Sequence, residues 1–289
     1  MKIAIIGGSG NMGKWFARFL KEEDNDVVII GRSETKLAAV AEELGVAHST
    51  DYATIKGCDA IILSIPIDSF EETVVKLAPH VSDEQKIFDL TSVKVKSVEI
   101  MHRLIKKGRL LGAHPVFGPG AQGLTKQHFV LTPTDDKEEL LATKVKAYLE
   151  ERGAIVSVMT PQEHDEMMAV ILGLAHYIAI VSADTLLQTN SYRRMENISG
   201  ITYRVLLTLV ESVLSEDPKL YASLQMGLPH LQEVQATFNK SAADWSGLVK
   251  DGNRQVFIER LECLKMKLEK DNPNFGKAYA NMYKLAEWL

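Results

Sequence analysis

A glycine loop near the start of the chain constrains its fold more than any other feature. Met1-Lys2-Ile3-Ala4-Ile5-Ile6 reads as an apolar strand, and Gly7-Gly8-Ser9-Gly10-Asn11-Met12-Gly13 follows it directly. From Gly8 to Gly13 the loop carries the G-x-G-x-x-G spacing. Glycines so placed allow a tight turn and a close backbone approach to a pyrophosphate, with the N–H groups of the next helix aimed at it. The spacing alone also suits a structural turn. Here it joins a strand to an amphipathic helix over 11–23, which is the context a dinucleotide site requires. Gly8, Ser9, Gly10, Asn11, Met12 and Gly13 are therefore the candidate cofactor loop.

The first half continues the same alternation. Apolar, β-branched runs at 3–6, 27–30, 60–63 and 86–90 read as strands, and 11–23, 34–44 and 69–77 have helical spacing of apolar residues. Strands buried on both faces read as continuous apolar runs, with helices carrying the crossovers between parallel neighbours. Further strands are expected at 109–112 and 129–132, then a helix over 137–151 and a strand over 154–159. Thr160-Pro161-Gln162-Glu163 then opens a helix, with Thr at the N-cap, Pro at the first position and Glu at the third. No strand candidate follows it. Long helices are expected over 161–190, 199–216, 218–242 and 253–270, broken at Asp217-Pro218 and Asp251-Gly252-Asn253. The pattern predicts an α/β doubly wound, Rossmann-like N-terminal domain over 1–159 and an all-α domain over 160–289.

Composition narrows the partners. The chain has 289 residues, 46% of them hydrophobic, and a net charge of −5, which argues against a nucleic-acid or anionic-membrane binder. Cys58 and Cys263 lie far apart without a pairing pattern, the simple signature of a reducing cytoplasm. A strand at the first residues leaves no room for a targeting leader. The run 167–183 is almost wholly apolar, but it is short and includes Gly173, His176 and Tyr177. It reads as a buried core or interface helix, not a membrane span. A cytoplasmic protein acting on a small molecule is expected. No His/Cys/Asp cluster has metal-ligand spacing, so no metal is expected.

The second strand ends in Gly31-Arg32-Ser33, where an NAD site usually carries an acidic residue for the ribose hydroxyls. A guanidinium and a hydroxyl suit a 2′-phosphate, which favours NADP over NAD; the alternative is a solvated loop arginine. Ser64 and Pro66 are further candidate cofactor contacts. Asp89-Leu90-Thr91-Ser92-Val93-Lys94 and Gly112-Ala113-His114-Pro115-Val116-Phe117-Gly118-Pro119-Gly120 fall where sheet strands should end, the edge at which such sheets bind ligands. His114, in a Gly/Pro-rich turn there, suits a general base near neutral pH, although on its own it also suits a structural loop histidine.

With these segments in view, the chain resembles the prephenate and arogenate dehydrogenases of tyrosine biosynthesis. The likeness rests on the glycine loop, Ser92-Val93-Lys94, the segment 112–119, Glu163-His164-Asp165, Leu174-Ala175-His176-Tyr177, Ile201-Thr202-Tyr203-Arg204 and Asp217-Pro218-Lys219-Leu220-Tyr221. The resemblance implies oxidative decarboxylation of prephenate to 4-hydroxyphenylpyruvate, or of arogenate to tyrosine, and a homodimer built through the helical domain. It implies His114 as catalytic base with Ser92 as its hydrogen-bond partner, and it places Lys94, His176, Tyr203 and Arg204 at the substrate. His164 and Asp165 lie in the first turn of a helix, where structural and functional roles stand equal. One departure concerns the substrate carboxylate: enteric members carry a second arginine where this chain has Ser212, which leaves Arg204 as the candidate anchor. No chorismate mutase segment precedes Met1 and no regulatory domain follows Leu289, so a monofunctional form is expected. The rivals are an F420-dependent NADP reductase, which shares the opening motif, and a non-catalytic NADP-binding sensor.

Overall fold

The computed structural model of the chain describes residues 1–189 and 192–287. Its strands are β1 (Lys2–Ile6), β2 (Asp26–Ile30), β3 (Ala47–Ser49), β4 (Ala60–Leu63), β5 (Lys86–Asp89), β6 (Arg109–Pro115), β7 (His128–Thr132) and β8 (Ile155–Val158). They form one eight-stranded sheet in the order β3-β2-β1-β4-β5-β6-β7-β8. Neighbours pair in parallel except β6 and β7, which are antiparallel, with Gly112 opposite Thr132 and His114 opposite Val130. The chain leaves β1 toward β2 and β3, then crosses back to β4 on the other side of β1. That reversal opens a crevice at the carboxyl ends of β1 and β4, the switch point at which doubly wound sheets bind ligands.

Helices α1 (Asn11–Glu22), α2 (Glu34–Leu44), α3 (Phe70–Leu77), α4 (Lys94–Leu104) and α5 (Asp136–Glu151) flank this sheet. Alternate strand residues feed two apolar cores. Ile3, Ile5, Val27 and Ile29 pack with Trp15, Phe16 and Leu20 of α1, while Ala4, Ile6, Val28 and Ile30 pack with Phe70, Val74 and Leu77 of α3. Each strand is thus apolar on both faces, which is why it reads as an unbroken hydrophobic run. One compact unit comprises Met1–Met168 with Met226–Leu228, and so includes α6 (Pro161–Met168). At the start of α6 the expected reciprocal cap is formed: Glu163 N–H donates to Thr160 Oγ1 (3.2 Å) and Thr160 N–H to Glu163 Oε2 (2.8 Å).

The second unit, Ala169–Gln225 with Pro229–Leu289, has no strand among its described residues. It opens on a π-helical turn, Ala169–Leu174, and continues through α7 (Ala175–Leu187), α8 (Tyr192–Glu196), α9 (Ile201–Leu214), α10 (Pro218–Gly227), α11 (Leu231–Lys250), α12 (Arg254–Asp271) and α13 (Ala278–Ala286). The expected helix over 161–190 is therefore interrupted at 169–174, and its last residue lies outside the described residues. Gly173 sits within the π-turn, and a Cβ there would meet Leu231 Cδ1 at 2.5 Å, so a larger residue would push α11 away. Gln225 Nε2 donates to the Gly173 carbonyl (2.9 Å), satisfying a backbone acceptor in the irregular turn.

The expected single helix over 218–242 is two helices. Pro229 has no N–H for a helical ladder, and His230 takes φ +62°, so the chain turns between α10 and α11. The stretch Pro161–Leu187 contains an 18-residue window of mean hydropathy 1.8 and is long and apolar enough to cross a membrane by length and composition alone. Expected burial of its apolar run is only partial within one chain: Val170 and Ile171 are about half exposed, at 50% and 51%.

Candidate functional site

The glycine loop has the backbone that a pyrophosphate cradle needs. Gly7 takes φ +81°, and a Cβ on it would lie 2.1 Å from the Ser64 carbonyl oxygen. A Cβ on Gly13 would lie 2.3 Å from the Gly7 carbonyl oxygen and 2.8 Å from Gly8 Cα, so the first turn of α1 packs directly on the loop. Gly10 is the N-cap of α1, no side chain caps it, and no acidic residue lies in the first turn. The open N–H groups of that turn, carried by Asn11, Met12 and Gly13, make a ready anion site. Ser64 continues the β1–β4 pairing through its N–H to the Ile6 carbonyl (2.9 Å), which sets Ser64 beside Gly7; Pro66 follows at the start of the turn Ile67–Ser69. At the end of β2, Arg32 is exposed, while Ser33 caps α2 by accepting from Lys36 N–H (3.4 Å). The Ser33 hydroxyl proton remains free to donate. These residues fit a bound dinucleotide.

A second group of side chains lies in the same unit, at the carboxyl ends of β5 and β6. His114 is expected in a turn, but it lies within β6, paired with Val130 of β7 and 3% exposed. The antiparallel partner carries β6 through Pro115, past the expected end at 112, and makes His114 part of a rigid strand. Its Nδ1 hydrogen-bonds His164 Nε2 at 2.9 Å, the rings meeting edge to face at 5.1 Å. Its Nε2 has no partner among the described residues and is not enclosed. Ser92 is half-buried and makes no side-chain hydrogen bond among the described residues, so the structure gives His114 a different partner from the one expected.

His164 and Asp165 are fully buried on α6. His164 Nδ1 bonds Asp165 Oδ1 at 2.7 Å, and Asp165 also accepts from Lys94 N–H (2.7 Å) and Val95 N–H (3.0 Å) at the start of α4. Val93, the N-cap of α4, offers no capping side chain. Asp165 supplies the cap from another helix. Burial pushes the His114 imidazole well below the usual histidine range, and the neighbouring His164 and Lys94 add to that. Burial also lowers His164, opposed by its hydrogen bond to Asp165. Both shifts favour the neutral imidazole.

Lys94, expected at the substrate, has its ammonium turned into the protein. Its side chain is fully buried, and Nζ donates to the Asp89 carboxylate, the Asp89 carbonyl (3.2 Å) and the Ala113 carbonyl (3.0 Å). An ammonium has three protons, and all three are used inside the protein. Burial lowers the Lys94 pKa, while the Asp89 charge and hydrogen bond oppose the shift. Asp89 is further held by Thr91 N–H (2.7 Å) and the Ser97 hydroxyl. This pair ties β5, β6 and α4 together beneath His114.

The remaining candidates belong to the helical unit. His176 on α7 is half-buried; its Nδ1 is enclosed with no hydrogen-bond partner among the described residues, and its ring meets Tyr221 edge to face at 4.9 Å. Burial lowers its pKa. On α9, the Tyr203 hydroxyl lies 3.7 Å from Met195 Sδ, and Arg204 is exposed with no ion pair among the described residues. Ser212 bonds back to the Leu209 carbonyl of its own helix (2.9 Å). Among the described residues no group of three or more His, Cys, Asp or Glu is placed to hold a metal ion.

Known proteins match the chain in two consecutive segments. A family model described as "Prephenate dehydrogenase, nucleotide-binding domain" matches residues 16–158, and one described as "Prephenate dehydrogenase, dimerization domain" matches residues 160–263. A protein of Methanocaldococcus jannaschii named "Probable arogenate/prephenate dehydrogenase" is 33% identical over 90% of this chain, and a Haemophilus influenzae protein named "T-protein" is 27% identical over 89%. The chain spans 59% and 64% of the lengths of those two relatives. Among solved structures, prephenate dehydrogenase from A. aeolicus, in complex with hydroxyphenyl propionate and NAD+, shares the fold with a TM-score of 0.77. It is 22% identical, and the match covers 94% of this chain and 98% of that one. Synechocystis arogenate dehydrogenase also shares the fold, with a TM-score of 0.72 at 20% identity, over 94% of this chain and 100% of that one. With both domain models matched in order along a doubly wound sheet and a helical unit, the chain belongs to the prephenate dehydrogenase family.

Proposed function

We propose that the chain catalyses the nicotinamide-dependent oxidative decarboxylation of prephenate to 4-hydroxyphenylpyruvate, with His114 as the base. The observation that carries this reading is the state of His114. One nitrogen is fixed inside the protein by His164, the other has no partner among the described residues and is not enclosed, and burial favours the neutral imidazole. The reaction removes the ring C4 hydrogen as hydride, for which a bound nicotinamide dinucleotide supplies the acceptor, and expels the ring carboxylate as CO2, leaving an aromatic ring. Within that change, Nε2 of His114 takes the C4 hydroxyl proton as the C–H bond breaks and returns it to the oxygen once the ring is aromatic. A base that is neutral at the working pH can take the proton and give it back.

Family membership, the open α1 N-terminus and the glycine loop support dinucleotide binding through Gly8, Ser9, Gly10, Asn11, Met12 and Gly13, with Ser64 and Pro66 beside them. We assign NADP as the preferred cofactor, because Arg32 is exposed at the end of β2 and Ser33 keeps a free donor. Arg32→Ala is expected to weaken NADP by about tenfold to hundredfold, the loss of one charge-assisted contact of roughly 1.5–3 kcal/mol, while leaving NAD nearly unchanged. Fluorescence titration with each cofactor reads the difference, and equal weakening of both removes the assignment.

In the helical unit, Arg204 is the carboxylate anchor and His176, with its unpartnered Nδ1, a substrate donor or acceptor; Tyr203 lies beside Arg204 in sequence. Exposed apolar residues of the π-turn and α7, including Ile171 and Val181, support association into a homodimer through this unit, as does the description of the matching family model. Free Cys58 and Cys263 fit a reducing cytoplasm.

The function is tested by following absorbance at the nicotinamide band with prephenate and with arogenate, each with NAD and NADP. Reduction with prephenate is the expected result. Reduction with arogenate alone transfers the same chemistry to the amino-acid substrate, and reduction with neither overturns the reading.

A further inference from the structure

His164 and Asp165 carry out no step in that reaction, yet both are wholly buried and bonded in a line that ends on His114. The hydrogen-bond directions along the line are determined. Asp165 accepts from two backbone N–H groups at the start of α4, a position where partial positive charge gathers and favours a carboxylate. An ionised carboxylate can only accept, so the His164 Nδ1 facing it carries the proton. A neutral His164 then has a bare Nε2, which must accept from His114 Nδ1–H. The last ring, also neutral, is left with its lone pair on Nε2, the nitrogen that has no protein partner.

We infer that His164 and Asp165 are positioning residues that set the tautomer of His114, so that its exposed nitrogen is always the proton acceptor. The inference deepens the proposed role of His114 and rests on it. The line also serves the protonated state. When Nε2 takes a proton, the Nδ1–H bond to His164 strengthens, because its donor is now cationic, and the Asp165 charge lies one ring further on. No proton leaves Nδ1. The acceptor is delivered from α6, fifty residues along the chain from His114, by the same carboxylate that caps α4. Docking of α6 on α4 and readiness of the base are thereby one structural event.

The test uses two replacements of His164 in the full-length enzyme, with ring-15N histidine labelling. In the wild type, long-range 15N–1H correlation should show one histidine, missing from the His114→Asn spectrum, with its proton on Nδ1. His164→Gln keeps an acceptor near the place of Nε2; it should preserve that pattern and hold kcat within about tenfold. His164→Leu fills the space without an acceptor. It should lose the pattern and lower kcat by about 10²-fold or more, since a base left in the wrong tautomer costs about 10⁴-fold in the serine hydrolase triad. Cofactor affinity and Tm serve as controls for folding. A wild-type His114 with its proton on Nε2 overturns the inference, whether or not the Leu variant folds, and so does a Leu variant with wild-type kcat. The tautomer is read on the enzyme without substrate. A correct tautomer in a protein that turns over neither prephenate nor arogenate therefore overturns the proposed reaction while sustaining the line.

Discussion

Replacing His114 with asparagine is expected to lower kcat by about 10²–10⁴ while prephenate and cofactor still bind, because general-base assistance is typically worth that much. Asparagine keeps a polar group of similar reach and can still meet His164, but it has no lone pair basic enough to hold the hydroxyl proton. The pH profile of the wild type provides the companion result. The base acts when neutral, and burial, His164 and Lys94 all depress its pKa. Its loss of activity should therefore fall at a pH below the ordinary histidine value of 6.5, with rates level above it. Stability follows the same direction. The unfolded chain binds protons at His114 and His164 near pH 6.5 and the folded chain does not, so folding weakens as pH falls below that value. Activity and unfolding must be followed over the same pH range to separate the two losses. A His114→Asn enzyme within a few-fold of wild-type kcat, with chemistry limiting turnover, would make His114 a structural strand residue.

How much of this could be read from the residues depends on how far apart the interacting groups lie. Strand β4 was legible because both its faces are buried and nothing polar interrupts Ala60-Ile61-Ile62-Leu63. Helix α2 was legible at both ends, through Ser33 at the N-cap and Gly45 at φ +61° after the last turn. These signals are local. Strand β3 was not seen, since its three residues Ala47-His48-Ser49 have no apolar run. Helix α4 was also missed, because charged and β-branched residues blur its period. The partner of His114 is a matter of tertiary contact alone. Ser92 is near the expected strand end, whereas His164 reaches His114 only because α6 packs on α4, and no local pattern encodes that docking. The Glu163-His164-Asp165 run marks a helix start equally well in an ordinary cap. The side chains of His176 and Arg204 are placed on their helices by the sequence, but their chemistry depends on a neighbour that a single chain's periodicity does not specify.

The largest stability effect is expected at Lys94, whose charged side chain is wholly buried. A lysine at a sheet edge is ordinarily solvated or bound to a ligand, because lysine is almost never fully buried unless paired. Here it is paired, with its ammonium between the Asp89 carboxylate and two carbonyls and none of its side chain exposed. Lys94→Met keeps much of the apolar stem but leaves the Asp89 charge buried with only Thr91 N–H and Ser97 Oγ–H for company. Removing one member of a buried pair typically costs about 3–5 kcal/mol. For a unit of this size that is a fall in Tm on the order of 10 °C, read by circular dichroism. Adding Asp89→Leu should recover much of the loss, because a buried ion pair replaced as a whole by apolar groups is often close to neutral. Recovery should stop short of complete, since Thr91 N–H then loses its acceptor, whereas the Ser97 hydroxyl can still donate to the Val93 carbonyl. The opposite result is equally clear: a Lys94→Met protein with wild-type Tm and a KM for prephenate raised tenfold or more would make Lys94 a substrate ligand, and the internal pair would not be what holds it.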